Sequence, residues 1–127
     1  MGDKFNLSGD FSGAIVNLKS TLNNVRQSAG QIPGGDDEAR RQLQNMIDSL
    51  SAELEKAPAA KAEEVEAVAQ TAQVLVEQAK SGKPNKILLR VTGEGLKQSA
   101  KNLAEYLPSV LPLTIQIVSI VMKISGN

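Results

Sequence analysis

The break Gln31-Ile32-Pro33-Gly34-Gly35 and the proline at Pro58 bound a run whose apolar residues recur at helical spacing. That recurrence narrows the fold more than any other feature of the chain. Ala39, Leu43, Met46, Ile47, Leu50 and Leu54 fall on one side of a helix predicted over about Asp37 to Lys56, with Asp36 or Asp37 placed to cap its free amides. Pro58 ends that helix. A second is predicted from about Ala59 to Ser81, with Val65, Val68, Ala72, Leu75, Val76 and Ala79 on one side and Gly82 as terminator. So short a link between two long helices makes residues 36–81 an expected antiparallel helical hairpin.

Residues 84–125 read as a basic and then an apolar helical region. Ile87-Leu88-Leu89-Arg90-Val91 fits a short buried strand or a helical turn equally, and Thr92-Gly93-Glu94-Gly95 is expected to interrupt either. A helix is predicted from about Glu94 to Tyr106 with Leu96, Ala100, Leu103 and Leu107 inward. Pro108 restarts the chain, and Val110 to Ile124 forms a strongly apolar helix. Residues 1–30 stand apart as a Gly/Asn/Ser-rich segment. Apolar and polar residues alternate in two short runs between Lys4 and Leu18, which is a hairpin signature, so extended structure is expected to about Leu18 and helix from about Ser20. A competing reading caps a helix at Ser12, because Ile15, Leu18, Leu22 and Val25 recur at helical spacing. The fold class that follows is mainly α: one domain over residues 1–127, a bundle of four or five helices with a short N-terminal extended or hairpin segment.

Function is narrowed first by what the chain lacks. Its 127 residues include no Cys, no His and no Trp. That removes the thiolate nucleophile, the commonest general base and the usual zinc ligands, so no enzyme, cofactor or metal site is expected. The adjacent acids Asp36, Asp37 and Glu38 have no EF-hand spacing, and Glu63, Glu64 and Glu66 have no partner cluster; both sets sit where a helix N-terminus favours negative charge. Thr92-Gly93-Glu94-Gly95-Leu96-Lys97 has the wrong spacing for a phosphate loop and reads as a turn and cap.

Formal net charge is zero, which argues against nucleic acid as a partner. The charge is nevertheless unevenly spread. Residues 1–80 carry twelve acids and eight bases, whereas residues 81–127 carry two acids, Glu94 and Glu105, and six bases. Such polarity suits a membrane, a nucleic acid or a self-complementary contact, or an acidic pair of helices packed beside a basic one. Lys83, Lys86, Arg90, Lys97 and Lys101 are spaced so that a helix through them aligns all five on one stripe. Leu107 to Ile124 is marginal in length for a bilayer span, and Val110, Leu113, Ile117, Val121 and Ile124 are the residues that would meet a core, a membrane or another copy. The N-terminus has no secretory pattern, and Asn6 stands where a myristoylation motif wants Ser or Thr, so a cytoplasmic chain is expected, with membrane association resting on that apolar helix.

The segment Asn6-Leu7-Ser8-Gly9-Asp10-Phe11-Ser12-Gly13-Ala14-Ile15-Val16-Asn17 resembles the short amyloid signalling motifs of bacterial NLR-associated immune proteins, and also one rung of a pentapeptide-repeat solenoid. The first resemblance implies a self-templating segment attached to a helical effector, some of which act on membranes, in a bacterial signalling or defence pathway. In physical terms, low charge and high β-propensity make Phe5, Leu7, Phe11, Ile15 and Val16 self-association candidates. The expected function is therefore a self-associating adaptor or effector, most plainly a homo-oligomer. The alternative is a soluble, non-enzymatic helical module that binds an unidentified protein without any membrane step.

Overall fold

The computed structural model describes residues 7–81 and 83–125, with side-chain surroundings from Leu18 onward. Within them run five helices: α1 (Leu7–Ala29), α2 (Asp37–Leu54), α3 (Ala62–Lys80), α4 (Lys86–Lys101) and α5 (Val110–Ile124), with a 3-10 turn at Ala59–Lys61 before α3. The mainly α bundle is as the sequence leads one to expect. The extended N-terminal segment is not: from Leu7 the backbone is one continuous helix. Leu18, Leu22, Val25 and Ala29 recur at helical spacing and are all buried, so burial of this stripe outweighs the local alternation that favours a strand. Phe5 lies outside the described residues.

The helices form a ring in which each packs chiefly on two others, in the order α1, α2, α5, α4, α3 and back to α1. This corrects the expected hairpin of residues 36–81. Although only a short link joins them, α2 lies against α1 and α5, and α3 against α1 and α4, so α1 sits in the angle between the two. Leu22, Leu43, Leu50, Leu75, Leu96 and Ile117 meet inside the ring with at most one percent of their surface exposed. Thr114 is as deeply buried, and its hydroxyl donates to the Leu111 carbonyl at 2.9 Å, which satisfies the one polar group that a core threonine brings.

Both helix starts that position later features are capped by side chains. Asp36 accepts from the Ala39 amide at 2.8 Å, and Asn85 accepts from the amides of Ile87 and Leu88 at 2.9 and 3.0 Å. Asn85 therefore opens α4 eight residues earlier than the predicted start at Glu94. Ile87 to Val91 is helix, and Gly93 and Gly95 lie inside α4 without breaking it. A Cβ on Gly93 would stand 2.9 Å from Val118 Cγ1, so this glycine lets α4 and α5 approach closely.

The α1–α2 connection closes one end of the bundle. Arg40 Nη1 donates to the carbonyls of Ile32, at 3.3 Å, and Gly34, while its other nitrogen meets Asp37. Gln44 Nε2 reaches back to the Arg26 carbonyl in the last turn of α1 at 3.1 Å. Gly34 and Gly35 have φ of 84° and 66°, and a Cβ on Gly35 would stand 3.1 Å from Ile124 Cγ2. Gly35→Ala is expected to cost ~1–2 kcal/mol through left-handed backbone strain. Thermal denaturation should show a lower midpoint with native helix content unchanged.

Candidate interaction surface

Successive residues of a helix turn by about 100° around its axis, which fixes what α4 presents on each side. Leu89, Leu96 and Ala100 face the core. Gly93 turns toward Val118 of α5, and Gly95 toward Thr71 of α3, where an added Cβ would stand 3.9 Å from the threonine methyl. The arc left to solvent runs from the α5 side to the α3 side. It opens with Lys86, Arg90, Lys97 and Lys101, passes Glu94, and continues with Ile87 and Val91 to Leu88, with Gln98 on the same side toward the C-terminal end of the helix. Val74 of α3 lies one turn beyond Thr71, level with Val91.

These four aliphatic residues are exposed together, Ile87 by 70%, Val91 by 62%, Leu88 by 51% and Val74 by 48%, whereas the other exposed large apolar residues among those described, Tyr106 and Ile115, stand outside α3 and α4. Isolated exposed aliphatics are ordinary; a contiguous strip with a charged rim marks a contact surface. The sequence reading placed a buried strand or a helical turn here and missed the strip. Its signal is legible afterwards: a helix from Lys86 has Leu89 and Leu96 for the core, and Ile87, Leu88 and Val91 are more apolar side chains than one inward face can use.

Lys86, Arg90, Lys97 and Lys101 fall along one side of α4, whereas Lys83 precedes the helix and is not part of its stripe. Lys97 pairs with Glu94 at 3.0 Å. Among the described residues, Lys83, Lys86, Arg90 and Lys101 form no ion pair, so the acids of α2 and α3 do not neutralise the stripe within the molecule. On the far side of the strip, α3 carries the opposite sign. Glu66 is exposed and accepts from Gln70 at 3.2 Å. Glu77, toward α1, accepts from the Ser28 hydroxyl at 3.0 Å and pairs with Lys80 at 3.5 Å.

The other sequence candidates are not brought to this surface. Val110, Ile117, Val121 and Ile124 are buried in the bundle and Leu113 is half-buried, while Gln116, Ser119 and Lys123 face solvent. A helix so placed offers those apolar residues to lipid only if the bundle opens. No helix among the described residues is long and apolar enough to cross a membrane. Leu7, Phe11, Ile15 and Val16 fall on α1, and their side chains lie outside the described set.

Two further features have plain structural accounts. Asp36 and Asp37 are engaged by the Ala39 amide and by Arg40. Among the described residues, no group of three or more acids is arranged to hold a metal ion. A shallow groove of about 480 Å³ between α1 and α2 is lined by Lys19, Asn23, Asp48, Ser51 and Glu55. Its charged residues are already used, Arg26 with Asp48 at 3.0 Å and Lys19 with Glu55 at 3.8 Å. Comparison of the chain with protein-family models, with curated proteins and with solved structures returns no match.

Proposed function

We propose that this chain is a non-enzymatic interaction protein that associates with copies of itself through the outer face formed by α4 and α3. The observation that carries the reading is the strip Ile87, Leu88, Val91 and Val74, held on a rigid closed bundle and flanked by charge of opposite sign on its two sides. Covering it in another molecule removes apolar surface from water, at about 25 cal/mol per Å², without any rearrangement of the fold. The absence of His and Cys from the whole chain leaves no conventional acid–base or thiol machinery, and Asp36 and Asp37 serve as a helix cap and an ion-pair partner. A soluble module that binds a different protein is the alternative use of the same strip.

Val91→Asp tests the proposal. The side chain is mostly exposed, so the substitution is expected to move stability by no more than about 1 kcal/mol and to leave helix content unchanged. In sedimentation velocity, the wild type should associate with rising concentration and the variant should remain a monomer. Equal association of the two proteins would remove the α3/α4 face from the account, and a wild-type monomer at every concentration would favour the alternative.

A further inference from the structure

The occupant of the strip can be stated more closely than as another copy. The link from α3 to α4 is too short to let the two helices run in the same direction, and Thr71 lies against Gly95, which sets their antiparallel register. By that register Glu77 is level with Arg90 to within one residue, and Glu66 is level with Lys101 to within one residue. Arg90 and Lys101 are eleven residues apart, and so are Glu66 and Glu77, about three helical turns in both cases. The face thus carries Arg90 and Glu77 beside the apolar strip, and Lys101 and Glu66 about 15 Å beyond its end, each pair matched in level, with the exposed Gln98 and Gln70 between them and Glu94 held by Lys97 on the basic edge.

Two copies placed face to face about a two-fold axis parallel to the helices exchange left for right and keep level. The basic edge of each copy then meets the acidic edge of the other, twice over. A two-fold axis perpendicular to the helices would instead set basic edge on basic edge. We infer that the chain pairs with a second copy about an axis parallel to α3 and α4, with Arg90 and Lys101 of each copy against Glu77 and Glu66 of the other. The inference rests on the self-association proposed above. The strip supplies the apolar contact and the edges select the orientation, since like charges brought together disfavour the alternative. Lys86 falls level with Lys80, a like-charged position in this seam, but Lys80 is held by Glu77 of its own chain.

The test uses two full-length double variants, Arg90→Glu with Lys101→Glu, and Glu66→Lys with Glu77→Lys. Each alone sets like charges against one another at both matched levels and should self-associate at least about tenfold more weakly than the wild type. An equimolar mixture should recover the dimer, because every edge then meets its opposite. Circular dichroism checks that each variant is folded. Since Glu77 also holds Ser28, the pair Lys101→Glu and Glu66→Lys repeats the test at residues that touch neither Ser28 nor the core. A mixture that stays monomeric while the wild type dimerises overturns this pairing and leaves self-association standing. A wild-type mass that grows without limit overturns the closed two-fold arrangement. A wild type that is monomeric throughout overturns this pairing and the proposed function together.

Discussion

Ile117→Asp is expected to abolish the cooperative thermal transition of the protein, whereas Ile115→Asp, two residues earlier on the same helix, should melt close to the wild type. Ile117 has no exposed surface, and Ile115 is 45% exposed. An unpaired carboxylate at the buried position either stays charged at a cost of several kcal/mol or binds a proton and remains unsatisfied. The isoleucine packing it replaces is worth about 2–5 kcal/mol more. Together these approach the whole stability of a domain this size, about 5–15 kcal/mol. Far-ultraviolet circular dichroism with temperature reads both variants. Wild-type melting of Ile117→Asp would move α5 out of the core and return it to the surface contacts that its apolar sequence also allows.

Gly93→Leu should destabilise the bundle by ~3 kcal/mol, at the upper end for forcing extra volume into a packed contact. The glycine is buried, and even a single added carbon would meet Val118 at 2.9 Å. Because a helix otherwise gains ~1 kcal/mol when glycine gives way to a better helix former, the loss isolates the crowding of α4 against α5. Val118→Ala opens space at the same point. In urea denaturation, the double variant Gly93→Leu with Val118→Ala should recover part of the loss, a coupling that distant sites do not show. Strict additivity would mean that Gly93 is not where the two helices touch.

The contrast between Gly93 and Pro33-Gly34-Gly35 shows which parts of the fold can be read from the chain. At Gly34 and Gly35 the glycines coincide with a proline and with a change in apolar period, and the backbone there is left-handed. At Gly93 and Gly95 the same residue type serves close packing inside a helix, which depends on Val118 and Thr71, residues distant in sequence. Residues 36–81 have the same character. Helix positions follow from local spacing and proline, but whether α2 and α3 pack on one another depends on α1, whose stripe Leu18, Leu22 and Val25 competes for the same faces. The start of α1 was misread for a related reason: alternation over a dozen residues suits a strand until a buried helical face is available.

The surface was partly legible. The basic stripe follows from spacing alone once α4 is a helix, whereas the apolar strip follows only from knowing which of Ile87, Leu88, Leu89 and Val91 the core takes. It takes Leu89. The polarity of charge between the first 80 residues and the rest left a membrane, nucleic acid, a self-complementary contact and packing within the molecule open alike, and α3 and α4 lie one on each side of that boundary.

The most direct measurement is the molar mass of the full-length wild-type protein by light scattering, over a wide concentration range at low and high salt. The account predicts a mass that rises toward twice the 13.5 kDa chain and stops there, with the rise displaced to higher concentration as salt screens the two charged edges. A mass equal to one chain at every concentration and in both salts would contradict it.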